Sequence, residues 1–121
     1  ETFKRLCSDA KEMGISCILD GFFNHTGCDS RYFNKYGNYP EPGAFQSADS
    51  HYASWFKFGG DAEHEYQCWW GVDDLPDVDE NDPSYREFIC GENGVVRTWL
   101  RLGASGWRLD VADELPDSFI E

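Results

Sequence analysis

The sequence is short of positive charge, of long apolar runs and of paired cysteine or histidine spacings, and each shortage removes a class of function. Only 10 lysines and arginines stand against 23 aspartates and glutamates, for a net charge of −13. Such an acidic chain is repelled by phosphate backbones and anionic bilayers, which excludes nucleic acid and membrane as expected partners. No apolar run approaches the roughly 20 residues of a membrane span, and no signal-peptide pattern is visible. The five cysteines (Cys7, Cys17, Cys28, Cys68 and Cys90) are odd in number and never form C-x-x-C. Disulfide frameworks and metal sites use paired, regular spacings. These thiols are therefore expected to be reduced and structural, a usage that leans toward a cytoplasmic protein. His25, His51 and His64 are too scattered for a zinc site. Internal repeats, low-complexity tracts and interdomain linkers are absent too.

What is present points to a folded chain that handles a neutral ligand. Hydrophobic residues make up 40% of the 121, enough for a core. Aromatics reach 17% and include five tryptophans. Sugars offer apolar C–H faces that stack on such rings, so neutral carbohydrate is the natural candidate; the alternative is that the rings simply build the core. The length is too short for a complete eight-fold barrel of about 250 residues. A start at Glu1 without methionine is what a segment of a larger protein would show.

Along the chain, Phe3, Leu6, Cys7, Ala10 and Met13 recur at three- and four-residue steps and predict a helix over 1–13, closed by Gly14. The apolar run Ile15 to Leu19 predicts a parallel strand covered on both faces. From Thr26 to about Asp79 glycine, aspartate, asparagine and aromatics alternate without a period, with one candidate strand from Tyr52 to Phe58. A long irregular stretch in a compact domain is functional or an inserted subdomain, and an insertion is the preferred reading. Asp82-Pro83 then starts a helix as N-cap and first position. Gly91 and Gly94 interrupt it, Val95 to Leu102 continues as a second helix, and Gly103 caps that one. Gly106 to Val111 is the next strand, and Leu115 to Ile120 starts another helix. Strand, excursion, helix, strand is a β-α-β unit and an α/β class. The organisation follows: 1–25 helix plus strand, 26–80 insertion, 81–121 helix plus strand.

Both strands end in polar residues. In Gly106-Trp107-Arg108-Leu109-Asp110-Val111, side-chain alternation puts Arg108 and Asp110 on one face. A guanidinium beside a carboxylate keeps it ionised and oriented, which a nucleophilic or charge-stabilising aspartate needs. A merely structural ion pair is the alternative. In Asp20-Gly21-Phe22-Phe23-Asn24-His25, a histidine at a strand end is placed to hydrogen-bond a ligand hydroxyl; the alternative is one satisfied by its own loop.

The second of these segments resembles the first signature region of the α-amylase family of glycoside hydrolases (family 13). Residues 106–114, which continue through Ala112-Asp113-Glu114, look like that family's second region. Leu75-Pro76-Asp77-Val78-Asp79 is similar to the region near the end of the family's domain B. Cys68-Trp69-Trp70-Gly71 resembles a W-W-G seen in neopullulanase- and cyclomaltodextrinase-like members. The resemblance implies part of a TIM (β/α)8 barrel with open edges: second helix, third strand, domain B insertion, third helix and fourth strand. It implies that Asp110 is the nucleophile of a retaining glycosidase acting on α-glucans or maltooligosaccharides, and that Arg108 holds it ionised. His25, Asp20, Asp113 and Glu114 would serve the substrate site. No cofactor is implied for the reaction; a structural calcium in the parent is left open, with Asn24 as its candidate ligand. Asp113 stands where the subgroup has asparagine, and Leu75 to Asp79 departs from its M-P-K-L-N, so linkage preference stays open. The family's general acid, a glutamate on the fifth strand, has no counterpart here, so the piece alone is expected to be inactive. Cut from its barrel, it is also expected to self-associate. A catalytically inactive barrel homologue and a carbohydrate-binding fragment are the alternative readings.

Overall fold

The structure, a computed structural model, describes residues 1–59 and 65–121. His64, one of the scattered histidines, lies outside the described residues.

Helix α1 spans Thr2–Glu12 and ends as its glycine predicts. Gly14 takes φ +74°, its N–H reaches the Lys11 carbonyl at 3.0 Å, and the Ile15 N–H reaches the Ala10 carbonyl at 2.9 Å. This paired closure uses a left-handed residue that a side chain would strain. Strand β1 is Ile18–Gly21, later than the apolar run suggests. Pairing sets its start, because Ile18 is the first residue opposite β2, Gly106–Leu109, in a parallel register that runs to Gly21 opposite Leu109. Before it, one bond of 2.8 Å from the Ser105 N–H to the Cys17 carbonyl joins the two segments. The expected cover on both faces is not there. Ile15 and Ile18 are 54% and 63% exposed; among the described residues the sheet has two strands, and it is Trp107 and Leu109 of β2 that pack against the buried cluster.

β2 stops short of Val111, which adopts φ +52°. The ladder reaches one residue further, with the Asp110 N–H on the Gly21 carbonyl at 2.9 Å. Helix α2, Pro83–Cys90, starts on Asp82, whose carboxylate accepts from the Ser84 and Tyr85 amides at 2.9 Å each. Helix α3, Val95–Arg101, begins after Gly94, so the two glycines do separate the helices. Helix α4 is the short Asp117–Ile120.

The stretch after β1 builds itself from rings. The strand expected over Tyr52 to Phe58 is instead a 3-10 turn at Ala53–Trp55 followed by single antiparallel bridges, Phe56 to Val78 and Phe58 to Tyr66. Phe33 is sealed, with ring centroids of Tyr66 at 4.7 Å and Phe56 at 4.9 Å. A second group, Tyr32, Trp55, Tyr85 and Phe88, ties the stretch to α2 through contacts of 5.1 to 5.4 Å. The Tyr85 hydroxyl donates to the Phe23 carbonyl at 2.7 Å, so α2 also pins the chain as it leaves β1. Most of the aromatic excess is therefore core. Trp70, at 81% exposure, is the clearest departure.

Candidate active site

The parallel register places Asp20 directly across from Arg108 at the C-terminal ends of the two strands. Arg108 Nη1 donates to both Asp20 oxygens at 2.8 Å, and Nη2 donates to Asp110 Oδ1 at 2.8 Å. One planar guanidinium thus clamps two carboxylates, a fork that a lysine point charge cannot reproduce. Asp20 first, and then Asp110, push the Arg108 guanidinium above its ordinary range and keep it a cation. The three side chains are 61%, 46% and 29% exposed for Arg108, Asp20 and Asp110. Ion pairs this wet contribute little to stability, so what the cluster supplies is orientation. Val111, the next residue, is β-branched in a left-handed conformation, a strain of order 1–3 kcal/mol that commonly marks functional sites.

A second group adjoins this one. The chain from Asn24 to Thr26 is zipped to residues 76–78: the Val78 N–H reaches the Asn24 carbonyl at 3.0 Å, and the Thr26 N–H reaches that of Pro76 at 3.1 Å. Buried Asn24 donates from Nδ2 to Glu114 Oε2 at 3.2 Å, and its Oδ1 lies 2.8 Å from His25 Nδ1. Because the amide nitrogen serves Glu114, the oxygen accepts from His25, and the proton sits on Nδ1. Neutral His25 then presents Nε2 as an acceptor. Burial lowers the His25 pKa, while the negative charges of Asp110 and Glu114 pull it the other way. Burial wins, and the neutral ring is favoured. Asp77, bridged to His25 through the backbone, is pushed up by burial and by Glu114, with Lys57 opposing.

The structure brings together Asp20, Arg108 and Asp110, and beside them Asn24, His25 and Glu114. Asp113 shares the 3-10 turn Ala112–Glu114 and is exposed. Asn24, the candidate calcium ligand, has its amide oxygen facing His25, and among the described residues no group of three or more histidine, cysteine or acidic side chains is placed to hold a metal. Cys7, Cys17, Cys28 and Cys90 are free thiols. What composition and spacing do not reveal is the ring beneath His25. Trp69 stacks on it at 5.3 Å and 21°, a contact for which the only sequence signal is the paired tryptophans of the W-W-G.

The family model "Alpha amylase, catalytic domain" matches residues 1–120. The amylopullulanase of Thermoanaerobacterium saccharolyticum is 41% identical over 138 aligned positions, covering 98% of this chain and 11% of the relative. Neopullulanase 2 of Thermoactinomyces vulgaris is 30% identical, over 98% of this chain and 20% of its own length. Among solved structures, the cyclic α-maltosyl-(1→6)-maltose hydrolase of Arthrobacter globiformis, in complex with maltose, superposes with a TM-score of 0.79 at 29% identity. That match covers 98% of this chain and 26% of the other. The Nostoc punctiforme debranching enzyme, soaked with acarbose, gives 0.76 at 30%, over 97% and 25%. The chain thus spans about a tenth to a quarter of the proteins it matches.

Proposed function

We propose, for a chain that belongs to the alpha-amylase catalytic-domain family, that the protein carrying it is a retaining α-glucan hydrolase and that Asp110 is its nucleophile. α1 and β1 would be the second helix and third strand of the barrel, residues 26–80 its domain B, and α2, α3 and β2 the third helical segment and fourth strand. The observation that carries the reading is the Arg108 fork. It orients Asp110 through Oδ1 at the C-terminal end of a parallel strand, the face on which barrels keep their chemistry.

In the proposed reaction an Asp110 carboxylate oxygen attacks the anomeric carbon while a second carboxyl, about 5–5.5 Å away, protonates the departing glycosidic oxygen. Water then attacks the glycosyl ester, giving its proton to that same second carboxyl and releasing Asp110. Asp20 anchors the far side of Arg108, so the guanidinium cannot swing off the nucleophile. His25 accepts a sugar hydroxyl at Nε2, and Glu114 acts through Asn24 by holding the amide that fixes the tautomer. The second carboxyl lies on the family's fifth strand, outside this chain, so the chain alone is proposed to be inactive. Replacing Asp110 by Asn in the intact protein should lower turnover of maltooligosaccharides at least on the order of 10³-fold, read as reducing-sugar release. Near-normal turnover would remove Asp110 from the mechanism.

A further inference from the structure

We propose that Trp70 is the platform of an outer sugar subsite, on which a glucosyl unit beyond the one at Asp110 stacks. The proposal rests on the α-glucan reading above and extends it to the length of substrate held. Four features of Trp69-Trp70-Gly71 carry it.

Trp70 is 81% exposed, against 4% for Trp55 in the same aromatic-rich stretch. An indole left in water forgoes the burial that most rings of this chain obtain, and an exposed ring of this size marks a contact surface. The backbone beneath it is strained as well. Trp70 sits at φ 53° and ψ 27°, a left-handed conformation rare for an aromatic, and Gly71 follows at φ +70°. Next to it, the buried Nε1 of Trp69 has no hydrogen-bond acceptor among the described residues. A two-residue motif that carries both a strained backbone and an unpaired donor is held for something other than stability.

The direction of the rings says what that is. Trp70 lies 5.3 Å and 29° from Trp69, and Trp69 lies 5.3 Å and 21° from His25. Two stacked contacts therefore connect His25, whose titration feels Asp110, to Trp70, the most exposed of the three rings. The occupant of such a surface must be flat-faced and uncharged or cationic, because the chain carries a net charge of −13. The C–H face of a pyranose meets that requirement and continues the substrate the inner site would hold.

The test uses the intact protein and two substrates, maltohexaose and an aryl α-glucoside that fills only the cleavage site. Trp70→Ala should lower the ratio of kcat/KM for maltohexaose to that for the aryl glucoside on the order of 10- to 30-fold, mainly through KM. Trp70→Phe, which keeps a stacking face, should recover most of it. A ratio that stays at the wild-type value, or one that Phe lowers as much as Ala, would overturn the platform while leaving Asp110 in place. Failure of the wild-type protein to cleave either substrate would overturn the α-glucan reading instead, and the platform with it. A thermal melt of Trp70→Ala within a degree or two of wild type separates loss of binding from loss of fold.

Discussion

At the strand ends, Asp20, Arg108 and Asp110 are tied by three bonds of 2.8 Å yet stay 29% to 61% exposed, whereas in the stretch after β1 Phe33 and Val78 are sealed at 0% and 1%. The first region has regular backbone and little burial; the second has dense burial and almost no regular backbone. Fixing a charge in place needs short, directional bonds on a stiff ladder, and it gains little stability because water screens each pair. Holding an irregular loop needs apolar area, and rings supply the most area per residue ordered. The two regions should therefore fail differently: damage to the insertion should unfold, while damage to the strand ends should silence.

The insertion gives the larger effect. Phe33→Ala removes a ring in contact with Phe45, Phe56, Phe58 and Tyr66, and should cost about 3–5 kcal/mol in urea unfolding. A loss below about 1 kcal/mol would mean the ring cluster is decoration and the comparison is mistaken. At the strand ends, Arg108→Lys keeps the charge but loses the fork between Asp20 and Asp110. It should lower kcat/KM by about 10- to 100-fold while moving stability by no more than about 0.5 kcal/mol. If Arg108→Lys melted like Phe33→Ala, orientation and stability would not be separable here.

The same contrast explains what could be read in advance. Gly14, Asp82-Pro83 and the Arg108–Asp110 pair were legible because each acts within a few residues of itself, through a cap, a fixed φ or side-chain alternation. The β-α-β order was legible from apolar runs and helical spacing. The start of β1 was not, because it depends on where Gly106 lies across the ladder. Nor were the contacts of Asn24: its partner Glu114 is 90 residues away, and its amide oxygen faces His25. The bridges from His25 to Asp77 and Phe56 to Val78 have no period to betray them, since each is a single pair in a loop held by rings.

His25 joins the two regions, and its titration gives the smallest and most discriminating effect. Burial holds its folded pKa below the ordinary 6.5, against the pull of Asp110 and Glu114. As pH falls below 6.5 the unfolded chain takes the proton first, so the stability of the neutral, Asn24-bonded ring is present above that value and lost as pH falls through the lower, folded one. Asp77 works in the opposite sense. Its folded pKa lies above the ordinary 3.8, so its contribution is present below 3.8 and lost as pH rises through the raised value. The two windows are offset, and His25→Gln should flatten only the upper part of the acid-side decline in urea midpoint. The change should stay under about 1 kcal/mol, because a half-buried ring is still partly screened. An unchanged slope from pH 6.5 downward would mean that His25 is as wet as the carboxylates beside it, and that burial from the insertion does not reach the site at all.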